Sequence, residues 1–206
     1  SGQTVASQGM IHGGVKYTLG GALSGASEAI ADMPAHWRRC MNGDGDVDLR
    51  GTRILSDHFY MWSSRSALSK VTTFLASKAL RGRVDALKKK DYPPVFRNDL
   101  FKGSLYKLVD MVIDTPSLLA TLRKPHADRI FAIDWQAAQL QKHGDGAALV
   151  IDTDSGRIQI NSALCVLAAG KGNGELLQKL DVQQPAMQLR PLQQVMVRHR
   201  NQHALY

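Results

Sequence analysis

The chain has 206 residues, 44% of them hydrophobic and 21% charged, which is ordinary for a globular protein and enough for one substantial core or two small ones. No apolar run approaches the ~20 residues that span a bilayer, and no basic stretch followed by an apolar core marks a signal peptide. The net charge of +8 is scattered over Arg38-Arg39, Arg81, Arg83, Lys88-Lys89-Lys90, Arg198 and Arg200, so no nucleic-acid partner is expected, and an anionic cofactor and small anionic substrate account for the balance through steering.

Residues 1–20 read as a glycine-rich loop entering a helix. Within it stands Ser7-Gln8-Gly9-Met10-Ile11-His12-Gly13-Gly14-Val15-Lys16-Tyr17. Two adjacent glycines after a histidine suit a backbone that approaches a flat ligand closely, because glycine has no Cβ to obstruct it. A cation and a phenol follow within one helical turn. The steps Leu23, Ala26, Ile30, Met33 and Trp37 then mark one apolar face of a helix running to about Cys40, with a kink or break expected at Pro34.

The loop Asn42-Gly43-Asp44-Gly45-Asp46-Val47-Asp48 has Val47 and Arg53 where a calcium loop needs glycine and glutamate, and it reads as a solvated turn. Thr52 to Trp62 reads as a strand, Ser66 to Leu80 as a helix, and Arg81 to Lys90 as a short strand with a basic turn. A loop at Asp91-Tyr92-Pro93-Pro94 follows, then a strand from Tyr106 to Asp114. Thr115-Pro116 predicts a helix start with Thr115 as cap, and Arg129 to Trp135 a further strand. Ala148–Ile151 and Arg157–Ile160 flank a turn and predict a hairpin. Ala163–Gly170 reads as a fully buried strand, and Glu175–Leu180 as a helix behind Gly170, Gly172 and Gly174. Trp37, Trp62 and Trp135 are expected in cores. Cys40 and Cys165 are expected as buried free thiols of a reducing compartment. The seven histidines show no zinc-like spacing with a carboxylate partner, so no metal is expected.

The Ile11–Tyr17 segment resembles the Ile-His-Gly-Gly-(Leu/Val)-(Arg/Lys)-Tyr motif of FAD-dependent glycerol-3-phosphate dehydrogenases, in the D-amino-acid-oxidase-like flavoprotein superfamily. The hairpin, apolar strand and glycine ending at Gly170 look like that superfamily's later Val-Leu-Ala-(Ala/Thr)-Gly segment. The resemblance implies FAD as cofactor and an α/β fold: part of a Rossmann-like FAD-binding domain plus an antiparallel β-sheet substrate domain. It divides the chain into 1–44 and 136–182 for the FAD domain, and 45–135 and 183–206 for the substrate domain. A strand followed by Gly-x-Gly-x-x-Gly is not found, so the chain reads as an internal piece of a larger flavoenzyme.

The same resemblance assigns cofactor contacts to Ser7, Gly9, His12, Gly13, Gly14, Gly170 and Gly172, and substrate contacts to Lys16 and Tyr17. His12 becomes the candidate catalytic base. Lys16 stands where arginine is commoner and offers a point charge without the bidentate fork. The expected activity is oxidation of a CH–OH or CH–NH group by hydride transfer to flavin. The alternatives are an amino-acid, amine or 2-hydroxy-acid enzyme of the same superfamily, or a non-catalytic basic interaction module. Oxygen, a quinone or a protein is left open as electron acceptor. The expected location is the cytoplasm, with attachment to the inner-membrane surface left open.

Overall fold

A computed structural model describes residues 2–15, 29–64, 83–189, 193 and 195. The predicted helix at 66–80, the first half of the helix from Leu23, and both Lys16 and Tyr17 lie outside the described residues. Two compact units divide between residues 127 and 128.

The first unit holds two small antiparallel sheets. One orders β1 (Met10–Ile11), β6 (Met111–Ile113) and β2 (Ile54–Ser56) with β6 central; the other orders β3 (Phe59–Ser63), β5 (Ser104–Leu108) and β4 (Val84–Ala86) with β5 central. The single strands predicted at 52–62 and 106–114 are each divided between the two sheets. The first divides where the Ser56 hydroxyl donates to the carbonyl of His58 at 2.7 Å, a local bond that turns the chain at Asp57. The second divides at Val109-Asp110, where Val109 N–H turns aside to the carbonyl of Arg83 at 3.1 Å.

Helix α2 (Met33–Asn42) begins with Pro34 in its first turn, so the expected break is a helix start. It ends at Gly43, whose φ of +87° lets its N–H return to the carbonyls of Arg39 and Cys40. Cys40, Leu49, Met111, Ile113 and Leu118 form the core between this helix and the first sheet, with Ile11, Trp37 and Met41 packed against it. A four-residue helix, α1 (Gln3–Ala6), precedes β1, and α3 (Thr115–Arg123) follows β6. The cap of α3 is Asp114, one residue before the predicted Thr115: its carboxylate accepts the N–H of Ser117 at 3.0 Å. Burial pushes that carboxyl's pKa up, but the Ser117 N–H and the Arg53 guanidinium outweigh it and hold it below its usual value.

The loop at 42–48 is more than a solvated turn. It folds Asp46 back onto α2, where the Cys40 thiol donates to Asp46 Oδ1 at 3.4 Å and His36 Nε2 lies 3.2 Å from the same oxygen. A Cβ at Gly45 would stand 2.4 Å from Cys40 Sγ, so only glycine lets the loop lie this close.

The second unit is an antiparallel meander of β7 (Ala138–His143), β8 (Gly146–Thr153) and β9 (Gly156–Ser162), with α4 (Asn173–Lys179) beyond it. The predicted hairpin is β8–β9, with Thr153 opposite Gly156. The strand β7 in front of it was not expected. Ala138 and Leu140 of β7 and Ala147, Ala148 and Val150 of β8 are buried, whereas β9 is exposed throughout. The run Ala163–Gly170 is not a strand: no strand among the described residues pairs with it, and Leu164 and Val166 are each 77% exposed. Cys165 is accordingly exposed, not buried. The stretch at 129–135 is likewise irregular, with Phe131 79% exposed. Trp62 and Trp135 are exposed rather than core; Trp62 meets Phe101 edge-on and Trp135 lies under the Lys179 ammonium.

A Cβ at Gly146 would stand 1.9 Å from the carbonyl oxygen of Ser162, a backbone atom that cannot swing away. Gly146→Ala is therefore expected to open the Ala147–Ser162 end of the β8–β9 ladder. Amide hydrogen exchange at Ala148 and Asn161 should quicken by about tenfold, the equivalent of about 1.4 kcal/mol of local opening, with rates in the first unit unchanged. Unaltered exchange at both positions would show that the ladder relaxes without cost.

Candidate functional site

The segment Ser7–Val15 runs along the edge where the two sheets of the first unit meet. It starts with Ser7, whose hydroxyl donates to the carbonyl of Thr4 at 2.9 Å and accepts the N–H of Gly9 at 3.3 Å. Gly9 has a φ of +65°, and its carbonyl accepts the N–H of Ile113 at 2.9 Å. Met10 and Ile11 then pair with Val112 and Met111 on the edge of the first sheet. Val15, 1% exposed, is packed with Leu108 of the second sheet, against Phe59, Met61 and Val84. The His12-Gly13-Gly14 turn thus crosses from one sheet's core to the other's.

Three protein groups fix that turn. The buried Asp110 carboxylate accepts the N–H of Gly13 at 3.0 Å. The carbonyl oxygen of Ala31 would lie 2.9 Å from a Cβ at Gly13, with the Pro34 ring carbons at 3.6 Å, so this glycine admits the N-terminal end of α2. Gly14 takes a φ of +79°, which an L side chain resists. The His12 side chain is half-buried at the same place.

Of the residues assigned from sequence, Ser7, Gly9, His12, Gly13 and Gly14 are brought together on this segment. The Ser7 hydroxyl and the Gly9 close approach are taken up by the protein's own backbone. Gly170 and Gly172 belong to the second unit, in a short 3-10 turn before α4. Gly170 has a φ of +57° and open space where a Cβ would be. The Asn173 side chain holds this turn by accepting the N–H of Ala169 at 2.7 Å and donating to the carbonyl of Leu167 at 3.0 Å.

Sequence reasoning missed Asp110. Its one signal was an acidic residue interrupting the apolar run from Leu108 to Ile113, a position that is costly unless the carboxylate has a donor. A second miss is His36, Cys40 and Asp46, whose ligand atoms all lie within 4.8 Å of one another, against the expectation that no histidine finds such partners. Asp46's carboxyl sits below its usual range because the Cys40 thiol donates to it, with its own backbone N–H and nearby His36 and Arg39 adding to the effect. Among the described residues, no helix is long and apolar enough to cross a membrane.

No family model matches the chain. It is 47% identical over 205 residues to a probable FAD-dependent oxidoreductase of Pseudomonas aeruginosa, a match covering 100% of this chain and 51% of that protein. The crystal structure of the FAD-dependent oxidoreductase from Pseudomonas aeruginosa has a TM-score of 0.61 to this fold at 34% identity, over 91% of this chain and 43% of that one. Glycine oxidase from Geobacillus kaustophilus shares the fold alone, with a TM-score of 0.51 and 17% identity over 87% of this chain and 48% of that one. The chain spans about half the length of the curated relative it matches. In sequence and in fold, it is similar to about half of an FAD-dependent oxidoreductase.

Proposed function

We propose that the chain is part of an FAD-dependent oxidoreductase that oxidises a CH–OH or CH–NH group of a small anionic substrate, of the glycerol 3-phosphate kind. The observation that carries the flavoenzyme part of this reading is the 47% identity over 205 residues to the Pseudomonas aeruginosa protein, and the substrate class rests on the resemblance of Ile11–Tyr17 alone. The Ser7–Val15 segment supports the reading with a fixed main chain: it is held at Gly13 by Asp110 and at Val15 by packing, and the half-buried His12 stands at the turn. Ser7, Gly9, His12, Gly13 and Gly14 would hold the FAD. When bound, the flavin supplies the hydride acceptor.

The remaining work falls to side chains. His12 takes the substrate hydroxyl proton on a ring nitrogen. Lys16 meets the phosphate or carboxylate as a point charge, and Tyr17 donates a hydrogen bond to the same anion. The Asp110 carboxylate acts through Gly13, holding the turn on which His12 stands.

The test is an absorbance spectrum of the full-length protein. Flavin bands bleached anaerobically by glycerol 3-phosphate support the reading. Bands bleached only by an amine, amino acid or 2-hydroxy acid keep the cofactor and change the substrate. No bands after reconstitution with FAD overturn it in favour of an interaction module. In the flavin-loaded protein, His12→Gln is expected to slow anaerobic bleaching by about 10²-fold or more while the flavin stays bound. Bleaching at the unaltered rate would remove His12 from proton transfer.

A further inference from the structure

We infer that His36, Cys40 and Asp46 form a binding site for a zinc-class divalent cation, with a fourth position left for water. His36 and Cys40 stand four residues apart on α2, which puts them on one face, one turn from each other. Asp46 returns to that face because Gly43 ends the helix in the left-handed conformation and Gly45 lets the loop lie against Cys40. Sulfur, imidazole nitrogen and carboxylate oxygen are the three ligand types that zinc takes.

The distances match those of a zinc ligand set. Bonds of about 2.3 Å to sulfur, about 2.05 Å to nitrogen and about 2.1 Å to oxygen, at tetrahedral angles, set S–N, N–O and S–O about 3.6, about 3.4 and about 3.6 Å apart. Here Cys40 Sγ to His36 Nε2 is 3.8 Å, His36 Nε2 to Asp46 Oδ1 is 3.2 Å, and Cys40 Sγ to Asp46 Oδ1 is 3.4 Å. Each lies within about 0.2 Å of its tetrahedral edge. A thiol–imidazole–carboxylate catalytic array needs the carboxylate on the ring nitrogen away from the sulfur. In this protein both partners converge on Nε2, and Nδ1 faces Arg39 Nη2 at 3.4 Å. Convergence of three donors on one point is the geometry of a ligand set.

Binding costs the cluster two rearrangements. The Cys40 thiol releases its proton to solvent, and its sulfur binds as thiolate. His36 binds through Nε2 and carries its hydrogen on Nδ1, so Arg39, an exposed side chain, turns away. The His36 and Asp46 side chains, 39% and 71% exposed, leave the site open to solvent. A bound cation would tie the end of α2 to the loop that follows it.

The experiment is a zinc titration of the full-length protein against a chromogenic chelator, with zinc chloride as the probe. It is run in a Cys165→Ser background, because that thiol is exposed and would bind zinc on its own. One equivalent of zinc should bind. His36→Ala and Asp46→Ala should each weaken it by about tenfold or more, and Arg39→Ala should leave it equal or tighter. Zinc K-edge absorption should show one sulfur among nitrogen and oxygen neighbours. Cys40 is 2% exposed and its replacement threatens the core, so the exposed ligands carry the test. Absence of competing uptake, uptake that His36→Ala or Asp46→Ala leaves unchanged, or a shell without sulfur would overturn the site. None of these readouts depends on flavin or turnover.

Discussion

Gly9→Ala is expected to unfold the edge of the first unit rather than merely soften it. Two costs fall on one methyl group. The φ of +65° at this position is left-handed, a conformation that costs an L residue about 1–2 kcal/mol. The methyl would also stand 2.1 Å from the carbonyl oxygen of Ile113 and 3.3 Å from Thr115 Cγ2. That oxygen is backbone of the central strand β6, so relief requires moving the strand or surrendering the Gly9–Ile113 bond and the pairs Met10–Val112 and Ile11–Met111. The expected loss exceeds about 3 kcal/mol, which for a protein of this size lowers the melting midpoint by about 6–12 °C. Thermal melts of wild type and variant side by side measure it. A midpoint unchanged within error would mean that Ser7–Val15 is not held as described.

Asp110 is the second position at which a large effect is expected. Asp110→Ala deletes the buried acceptor for the N–H of Gly13 and leaves that donor without its partner, a loss of about 1–3 kcal/mol. Asp110→Asn retains an oxygen at the same place and should recover part of it. The functional consequence is larger than the stability figure conveys, because the freed N–H belongs to the His12-Gly13-Gly14 turn. Flavin retained through gel filtration should fall sharply in Asp110→Ala and less in Asp110→Asn. The paired melts separate the turn from the fold: equal melting with unequal flavin content assigns Asp110 to positioning. Equal flavin content in all three proteins would reduce Asp110 to a core residue.

What could be read from sequence was whatever is decided within a few residues. A helix ending near Cys40 and the turn at Asp154-Ser155 follow from local conformational chemistry, and Pro34 marks a boundary that proves to be a helix start rather than a break. The divided strands could not be read, because Asp57 and Asp110 mark crossings only once two sheets compete for one segment. The apolar run at 163–170 has the composition of a buried strand, but composition supplies no neighbour to accept its hydrogen bonds. In the candidate site, His12 and its glycines stood out as a contiguous motif. Asp110 lies 97 residues from the Gly13 it holds, a separation that spacing rules do not reach. Asp46 is hidden for a related reason: the spacing within its loop speaks only to calcium, while its partners His36 and Cys40 lie on the preceding helix.

The division of two chain segments between the same pair of sheets has a mechanical consequence. Ser56–Phe59 and Leu108–Met111 are covalent stitches joining the sheets. Sheets sewn at two places can flex like pages about a spine, but they cannot slide past one another. Displacement grows with distance from that spine and is smallest at the stitches. The His12-Gly13-Gly14 turn is bonded to one of those stitches through Asp110, so flexing of the sheets about this spine should displace it little.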